Sequence, residues 1–429
     1  MTPSGAGTEG RRPRRASPLS ALAALLLGLV AALVLGEGLV RLAARWSPAV
    51  RYLSVLHTTR PLVFGSLAEY LASMPTQVVP HRNWFNYWNN ALGFNDEEFV
   101  VPKPAGRFRI MALGDSFTYG LVPYPDSVMT VLERRLRSAC PGKDLDVLNF
   151  GIGGIGVEDY RAIVTLGFTD YTPDLVVIHF YAGNDGPDTY RVDRGRERRR
   201  WQDLTRYSRL WTLTQNVVLV RKSLEATVGV VTDRPSGRAP DGTAARGGAV
   251  VDPGYALPAD DRALMGPTFN PETFDRIMGD ELRRLYTAAD PVGLDRAWQP
   301  TFDNLETIRE RVTVGGGRLA LVVFPSVLQV DGELREQVLA RLHARGRYRR
   351  MSRETIDPEL PQKRLAAYCR RAGVPCVDVT PALIRALQAE PSARLYKLQE
   401  THWTVRGNRV AAEAEAEQLL GLVCPRPAT

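Results

Sequence analysis

The sequence has little cysteine and histidine and shows no nucleic-acid-binding motif. It has four cysteines and five histidines in 429 residues, and no two cysteines show the CxxC spacing typical of metal sites. It contains no zinc-finger spacing, no Walker loop and no internal repeat. Basic residues outnumber acidic ones by eight but form no dominant block. This excess favours a membrane surface or an acidic polymer and is weak support for nucleic-acid binding.

A long hydrophobic run lies near the N-terminus. Seventeen residues from Leu19 to Leu35 include Ser20 as their only polar side chain, and as a helix they extend roughly 25 Å. The residues up to Val40 bring that length to the thickness of a bilayer core. A cleaved signal peptide is the alternative. We favour an uncleaved anchor, because the apolar core is long and Glu37 and Arg41 occupy the region where small residues would mark a cleavage site.

The charges beside this run predict its orientation. Four arginines precede it in "RRPRR", whereas few basic residues follow it directly. Positive charge stays on the cytoplasmic side of a membrane. We therefore expect residues 1–17 to be a cytoplasmic basic tail, residues 18–40 a single transmembrane signal anchor, and the remainder to lie outside the cytoplasm. Residues 41–105, which contain several aromatic side chains, are expected to form a juxtamembrane lead-in.

The cysteines are compatible with an extracytoplasmic location. They are Cys140, Cys369, Cys376 and Cys424, and four cysteines allow three disulfide connectivities. Cys369 and Cys376 are close in sequence and form a plausible local pair. Free buried thiols are the alternative.

Beyond the lead-in, continuous apolar runs alternate with helical patterns. The runs that predict strands are Phe108–Leu113, Asp146–Phe150, Asp174–Asp185, Arg318–Ser326 and Pro375–Thr380. Strands that are apolar throughout and alternate with amphipathic helices are typical of a parallel sheet covered on both faces. The pattern predicts an α/β fold with a doubly wound parallel sheet of about five strands, within a domain spanning residues 106–425.

The alternation is interrupted between the third and fourth strands. Residues 186–300 form no regular pattern, and within them lie the arginine-rich residues 194–200 and a Gly-, Ala- and Pro-rich stretch near residues 233–254. We interpret residues 186–300 as an insertion of the kind that often forms a substrate wall. The arginine cluster is expected to be a solvated face.

Polar residues follow the predicted strands where a doubly wound sheet binds its ligands. Ser116 follows the first strand, a glycine-rich stretch the second and Asn184 the third, while His402 precedes the last helix. Acyl transfer through serine needs these types: an imidazole that accepts the hydroxyl proton, and donors that stabilise the oxyanion. Taken singly, each residue could instead be a cap, a loop glycine or a turn residue. Their joint appearance at element ends favours catalysis.

These residues resemble the SGNH (GDSL-type) hydrolase family, from about residue 90 to residue 412. Gly114-Asp115-Ser116 resembles the first family block, "NFGIGG" the second, Gly183-Asn184-Asp185 the third and His402 the base of the last. The resemblance implies a flavodoxin-like fold with Ser116 as nucleophile and His402 as base. It also implies that the oxyanion is held by the backbone N–H groups of Ser116 and Gly154 and by the Asn184 side chain.

The last block departs from the usual family pattern. The family has Asp three residues before the histidine, where this chain has Gln399, and the nearer carboxylate is Glu400. "ETHW" resembles the Asp-x-His-Trp variant of membrane-associated relatives, including alginate O-acetyltransferase-like proteins. We expect Glu400 to orient His402, although Glu is one methylene longer than Asp. Of the other histidines, His179 lies inside an apolar strand and is expected to be a core residue.

These observations predict a membrane-anchored serine esterase that uses a Ser-His-Glu triad on an acylated small molecule or a cell-envelope glycan, with no metal or organic cofactor. Two alternatives remain open. One is an O-acyltransferase that passes an acetyl group to an envelope polysaccharide. The other is a non-catalytic glycan-binding relative on the same fold.

Overall fold

The computed structural model describes residues 18–55, 63–74, 89–192, 208–217, 269–287 and 291–424. Several features of the sequence lie outside these residues: the basic tail, the arginine cluster, the Gly-, Ala- and Pro-rich stretch, His57 and His81.

A five-stranded parallel sheet forms the centre of the protein. Its strands are β1 (Phe108–Gly114), β2 (Leu145–Gly151), β3 (Leu175–Tyr181), β4 (Arg318–Phe324) and β5 (Cys376–Asp378). They lie in the order β2-β1-β3-β4-β5, and every neighbouring pair is parallel. This order is that of flavodoxin-like sheets, in which the chain reverses its winding direction between β1 and β3 and leaves a crevice at the carboxyl ends of the strands. The predicted fold class is confirmed.

Helices cover both faces of the sheet, and three further helices precede its first strand. In chain order they are α1 (Pro18–Trp46), α2 (Pro48–Ser54), α3 (Leu67–Ser73), α4 (Ser116–Tyr119), α5 (Val128–Ala139), α6 (Val157–Tyr171), α7 (Thr189–Val192), α8 (209–217), α9 (Pro271–Leu282), α10 (Pro291–Val314), α11 (Val327–Val330), α12 (Gly332–Ala344), α13 (Leu360–Ala372), α14 (Thr380–Ala389) and α15 (Val405–Val423). Short 3₁₀ turns occupy Tyr124–Asp126 and Arg353–Thr355.

The sheet divides the hydrophobic core into two layers. Side chains of a strand alternate between faces, so Ile110 and Ala112 of β1 join one layer while Met111 and Leu113 join the other. Helices α5, α12 and α15 contribute to the first layer, and α6, α10 and α13 to the second. Because both faces are covered, the strands are mostly apolar, and each fully buried Leu or Ile contributes roughly 1.5–3 kcal/mol.

The N-terminal helix is followed by a lead-in that packs on the sheet domain. Residues Leu22–Trp46 of α1 are long and apolar enough to cross a membrane, by length and composition alone, as either an anchor or a signal sequence. The lead-in then packs on α6, where the hydroxyls of Tyr52 and Tyr70 both donate to buried Asp159. Asp159 lies in the first turn of α6, so α2 and α3 are fixed close to the carboxyl edge of the sheet.

A regular helix begins within the last ten residues of the segment 186–300 that we interpret as an insertion. Helix α10 begins at Pro291 and continues without a break through Pro300, which lies within the predicted insertion. Trp298 explains this continuity, because it is fully buried and stacks near Phe180 of β3 and Phe302 of the same helix. Packing by this tryptophan offsets the hydrogen bond that a helical proline cannot donate. Residues 291–300 therefore belong to the helix that crosses back to β4.

One disulfide joins distant parts of the chain. Cys140, at the end of α5, is bonded to Cys424, at the end of α15, across 284 residues of sequence. A cross-link over so long a loop lowers the entropy of the unfolded chain by an amount worth about 5.6 kcal/mol. Cys369 and Cys376, the local pair considered from the sequence, are free thiols. Their side chains hydrogen-bond to each other.

Candidate active site

The hydroxyl of Ser116 is presented by a tight turn after β1, which we call the nucleophile turn (residues 114–120). Asp115 caps the short helix α4 by accepting a hydrogen bond from the N–H of Phe117 at 2.9 Å. Gly114 is required because a Cβ there would lie 1.9 Å from the hydroxyl oxygen of Thr118. The backbone can therefore close on itself directly after the strand, and Ser116 is placed at the carboxyl edge of the sheet.

The imidazole of His402 contacts this hydroxyl. Nε2 of His402 lies 2.6 Å from Oγ of Ser116, although the two residues are 286 positions apart. His402 lies in a segment we call the base loop (residues 397–404), which ends where Thr404 caps α15 by accepting from the N–H of Gly407. Gln399 takes a left-handed φ of 47°, which turns the chain so that the imidazole faces the nucleophile turn.

The carboxylate of Glu400 holds the other side of the imidazole. Its Oε1 lies 2.5 Å from Nδ1 of His402, and its Oε2 accepts the backbone N–H of His402 at 2.9 Å. Burial by itself would raise the pKa of this carboxyl, but the charge and hydrogen bonds of His402, together with the charge of Lys397, hold the pKa below its ordinary value. An ionised carboxylate on Nδ1 keeps the proton on that nitrogen and leaves Nε2 free to accept one from Ser116. The structure thus brings Ser116, His402 and Glu400 together in one line of contacts.

The expected oxyanion donors lie at the ends of β2 and β3. Gly154 is exposed and takes a positive φ of 77°, and the preceding Gly153 is so close that a Cβ there would lie 3.9 Å from Cβ of Ser116. Asn184 is also exposed, and its amide donates to the second oxygen of Asp115 at 2.8 Å. Both loops therefore open beside the nucleophile turn.

The position of Asn184 depends on the buried residue that follows it. Asp185 accepts the N–H of Tyr181 at 2.9 Å and the hydroxyl of Tyr160, on α6, at 3.1 Å. Burial raises the pKa of the Asp185 carboxyl well above its ordinary value. These bonds hold the turn after β3 against α6, which itself begins directly after the glycine-rich loop.

Aromatic rings pack behind the contact between Ser116 and His402. The ring of Phe117 lies 4.9 Å from that of His402, and the buried ring of Trp403 meets Phe117 edge-on at 5.0 Å. The ring of Tyr181 stacks on that of Phe117, with ring centres 4.0 Å apart. An apolar backing of this kind excludes water and strengthens the contacts between charged groups. The sequence indicates Trp403 through "ETHW" but offers no signal for Tyr181.

A buried lysine was also missed by sequence reasoning. Lys397, five residues before His402, is 5% exposed, and its ammonium donates to the carbonyl of Leu121 at 2.5 Å. Its own N–H donates to the carbonyl of His402 at 2.9 Å. Burial lowers the pKa of this ammonium. Lys397 therefore connects the base loop to the chain that leaves the nucleophile turn, and a lone lysine in a loop carries no sequence signal for such a role.

The other described histidines lie away from Ser116. His179 is fully buried in β3, where Nε2 contacts buried Glu415 at 2.8 Å and Nδ1 lies 3.2 Å from the carbonyl of Leu113. His343 is on the surface of α12 and lies near the carbonyl of Tyr348. Within the described parts of the chain, no group of three or more His, Cys, Asp or Glu side chains has an arrangement that could hold a metal ion.

Comparisons with known proteins give structural likenesses only. No protein-family model and no curated protein matches the sequence. Among solved structures, the chain is similar to a member of the lipolytic G-D-S-L family from Veillonella parvula (12% identity, 72% of this chain and 97% of that chain, TM-score 0.33). It is also similar to a lipase/acylhydrolase from Enterococcus faecalis (13%, 75% and 100%, 0.32) and to an acetylxylan esterase from Geobacillus stearothermophilus (12%, 73% and 94%, 0.33). Similarities this low do not indicate a reaction. The chemistry of the site is inferred from the positions of Ser116, His402 and Glu400.

Proposed function

We propose that this chain is a membrane-anchored, extracytoplasmic serine esterase that hydrolyses O-acyl esters through Ser116, His402 and Glu400. The observation that carries the proposal is the 2.6 Å contact between Oγ of Ser116 and Nε2 of His402, with the Glu400 carboxylate 2.5 Å from Nδ1. A serine hydroxyl is a poor nucleophile until a neighbouring base accepts its proton. Here the base, its orienting carboxylate and the hydroxyl are already in contact.

The reaction follows from these positions. Oγ of Ser116 attacks the ester carbonyl while its proton passes to Nε2 of His402. The tetrahedral oxyanion is held by the N–H groups of Ser116 and Gly154 and by the Asn184 amide, and one such donor is worth roughly 3–4 kcal/mol of barrier. The alcohol leaves with the proton from His402. Water, deprotonated by His402, then attacks the acyl-serine and releases the carboxylic acid and the free hydroxyl of Ser116.

Contacts of α1 support retention of the anchor. The carboxylate of Glu37 accepts hydrogen bonds from the Ser208 hydroxyl at 2.9 Å and from the N–H groups of Arg209 and Leu210 at 3.1 and 3.0 Å. Gly36 leaves room for the Leu210 side chain, since a Cβ there would lie 3.0 Å from it. A helix of the insertion therefore docks on α1 where the apolar run weakens. Cleavage of α1 would remove the cap of α8, whereas an uncleaved helix with a cytoplasmic N-terminus keeps it.

A second candidate function uses the same acyl-serine with a different acceptor. In an O-acyltransferase, a glycan hydroxyl replaces water in the second step and His402 removes its proton. The exposed positions of Gly154 and Asn184 favour this alternative, because the donors that surround the oxyanion stand at an open rim that a saccharide can approach. The membrane anchor would hold such an enzyme beside envelope polysaccharide.

Covalent labelling with a fluorophosphonate tests the shared chemistry. We expect the intact protein in detergent to be labelled at Ser116, and to hydrolyse p-nitrophenyl acetate. Ser116→Ala should lose both activities while Ser138→Ala, a control at an exposed serine of α5, keeps them. Absence of labelling in the folded wild-type protein would favour a non-catalytic, glycan-binding role. Where labelling occurs, incubation with an acyl donor and oligosaccharides separates the two enzymes, since a hydrolase yields only free acid.

A further inference from the structure

A helix contributed by the inserted segment brings a carboxylate to the back of this site. Glu281, at the end of α9, is 5% exposed. Its Oε1 accepts the hydroxyl of Tyr181 at 2.9 Å, and its Oε2 accepts the hydroxyl of Ser326. Tyr181 ends β3 and Ser326 follows β4 by two residues, so one side chain ties together the carboxyl ends of two neighbouring strands.

From Tyr181 the contact continues to the reacting atoms. The rings of Tyr181 and Phe117 are stacked at 4.0 Å with an angle of 24° between their planes. Phe117 directly follows Ser116, and its ring lies 4.9 Å from that of His402. The bond from Tyr181 to Glu281 holds the hydroxyl end of the tyrosine in place, and with it the ring on which Phe117 stacks.

Charged and titratable groups face Glu281 from several elements. Burial raises the pKa of its carboxyl to about 7, opposed by the hydrogen bonds of Ser326 and Tyr181 and by the positive charges of Arg284 and His402. Tyr396, from the segment before the base loop, is also within electrostatic reach. A negative charge here favours the imidazolium form of His402, which is the form produced when Ser116 loses its proton.

Core packing alone does not account for a carboxylate at this position. A buried carboxylate costs free energy that its partners must offset, and a hydrophobic side chain of similar volume fills such a space at no such cost. Glu281 also lies outside the contacts that define Ser116, His402 and Glu400, so its burial next to them calls for a role in the site.

We propose that Glu281 is a positioning residue of the active site: it holds Tyr181, and through Tyr181 the Phe117 and His402 rings, and it places a second negative charge facing His402. The inference rests on the proposed ester hydrolysis. It also gives part of the insertion a function, since without α9 the aromatic backing would have no anchor at the end of β3.

The test compares Glu281→Gln with Glu272→Gln, the same substitution at an exposed position on the same helix. The measurements are kcat and KM for p-nitrophenyl acetate between pH 5 and 9, with circular dichroism as a check of folding. For Glu281→Gln we expect kcat to fall roughly 3- to 10-fold with KM within about twofold, as misplacement predicts. We also expect the limb of kcat/KM near pH 7, where Glu281 begins to ionise, to move to lower pH, because the removed charge no longer favours the imidazolium. Glu272→Gln should match the wild type.

Two further measurements test the same inference if Glu281→Gln cannot be used. If Glu281→Gln does not fold, Tyr181→Phe takes its place, because it removes the bond to Glu281 and keeps the stacked ring; the limb should move in the same direction by a smaller amount. An NMR titration of the His402 ring, assigned by its loss in His402→Gln, reports the same coupling without any substrate. Wild-type protein with no activity and no labelling contradicts the proposed function. The inference is contradicted if the wild type is active but its pH profile of kcat/KM and its His402 titration are the same as those of Glu281→Gln.

Discussion

The nucleophile turn and the base loop place their side chains by different means. In the turn, position is set by backbone sterics: a side chain at Gly114 would overlap Thr118, and one at Gly120, where φ is 74°, would meet Ser127 at 2.8 Å. The base loop has no such glycine. It is held by charges, with Glu400 on one side of His402 and the buried ammonium of Lys397 nearby. A change of shape should therefore damage the turn, whereas a change of charge should damage the loop.

The largest loss is expected from removing the charge of the base loop. In Glu400→Gln the amide presents a donor as well as an acceptor to Nδ1, so the imidazole is no longer held in the tautomer that Ser116 needs. We expect kcat to fall roughly 10³- to 10⁴-fold, the scale known for the equivalent change in serine proteases, with the melting temperature little changed. Glu400→Asp keeps the charge and should retain more activity. Equal losses in both variants would show that chain length, and not charge, is what the loop requires.

A change of shape in the nucleophile turn should follow. Gly151 of β2 lies against α4, and a Cβ there would be 2.1 Å from the backbone nitrogen of Tyr119. Gly151→Ala must shift α4, and a displacement of about 1 Å at a reacting group can cost roughly 10²-fold in rate. Gly421→Ala is the matched control, because its added Cβ meets nothing within 4 Å. Unchanged kcat/KM in Gly151→Ala would refute steric placement of the turn.

The sequence predicts the nucleophile turn, which is set by backbone sterics, better than the base loop, which is held by charges. Apolar runs locate the ends of β1, β2 and β3, and glycines after them predict tight turns, so the surroundings of Ser116 and Asn184 follow from local patterns. The contact between Ser116 and His402 spans 286 positions. It is suggested by the family resemblance and not by any local rule.

Other features depend on distant packing and have no local signature. In the sequence, Lys397 looks like any loop lysine, and only the fold places it next to Leu121 and Glu400. Glu281 is likewise one of several acidic residues on an amphipathic helix. Pro300 lies inside α10, where the buried Trp298 packs near Phe180 of β3. Likewise, proximity in sequence pointed to Cys369 and Cys376, whereas the packing of α5 against α15 brings Cys140 to Cys424.

Loss of the lysine charge is expected to have a moderate effect. Lys397→Met keeps the length of the side chain but removes the bond to Leu121 and one of the groups that lower the pKa of Glu400. We expect kcat/KM to fall roughly tenfold, with activity at low pH affected most because Glu400 then takes up a proton more readily. The exposed Lys363→Met serves as the control. Identical pH profiles for Lys397→Met and the wild type would contradict the electrostatic role.

The last prediction concerns stability and not rate, and here two buried carboxyls should act in opposite directions. The pKa of Glu400 is lowered on folding, so its contribution is present above the ordinary value near 4.5 and is lost as the pH falls below it. The pKa of Glu281 is raised to about 7, so its contribution is complete below about pH 4.5 and is lost as the pH rises towards 7. Denaturant titrations should show that Glu281→Gln removes a decline over this range on the order of 2–3 kcal/mol. If the free energy of unfolding declines with pH equally in the wild type and in Glu281→Gln, the raised pKa of Glu281 is contradicted.

The bond between Cys140 and Cys424 determines how the protein would respond to proteolytic nicking. Ser116 precedes the first of these cysteines and His402 precedes the second. Any single scission between residues 140 and 402 therefore places these two proposed catalytic residues on different fragments that stay covalently linked. A clipped molecule would run as one species until reducing agent is added. Under the proposed anchoring by α1, the clipped molecule would stay at the membrane through the fragment that carries this helix.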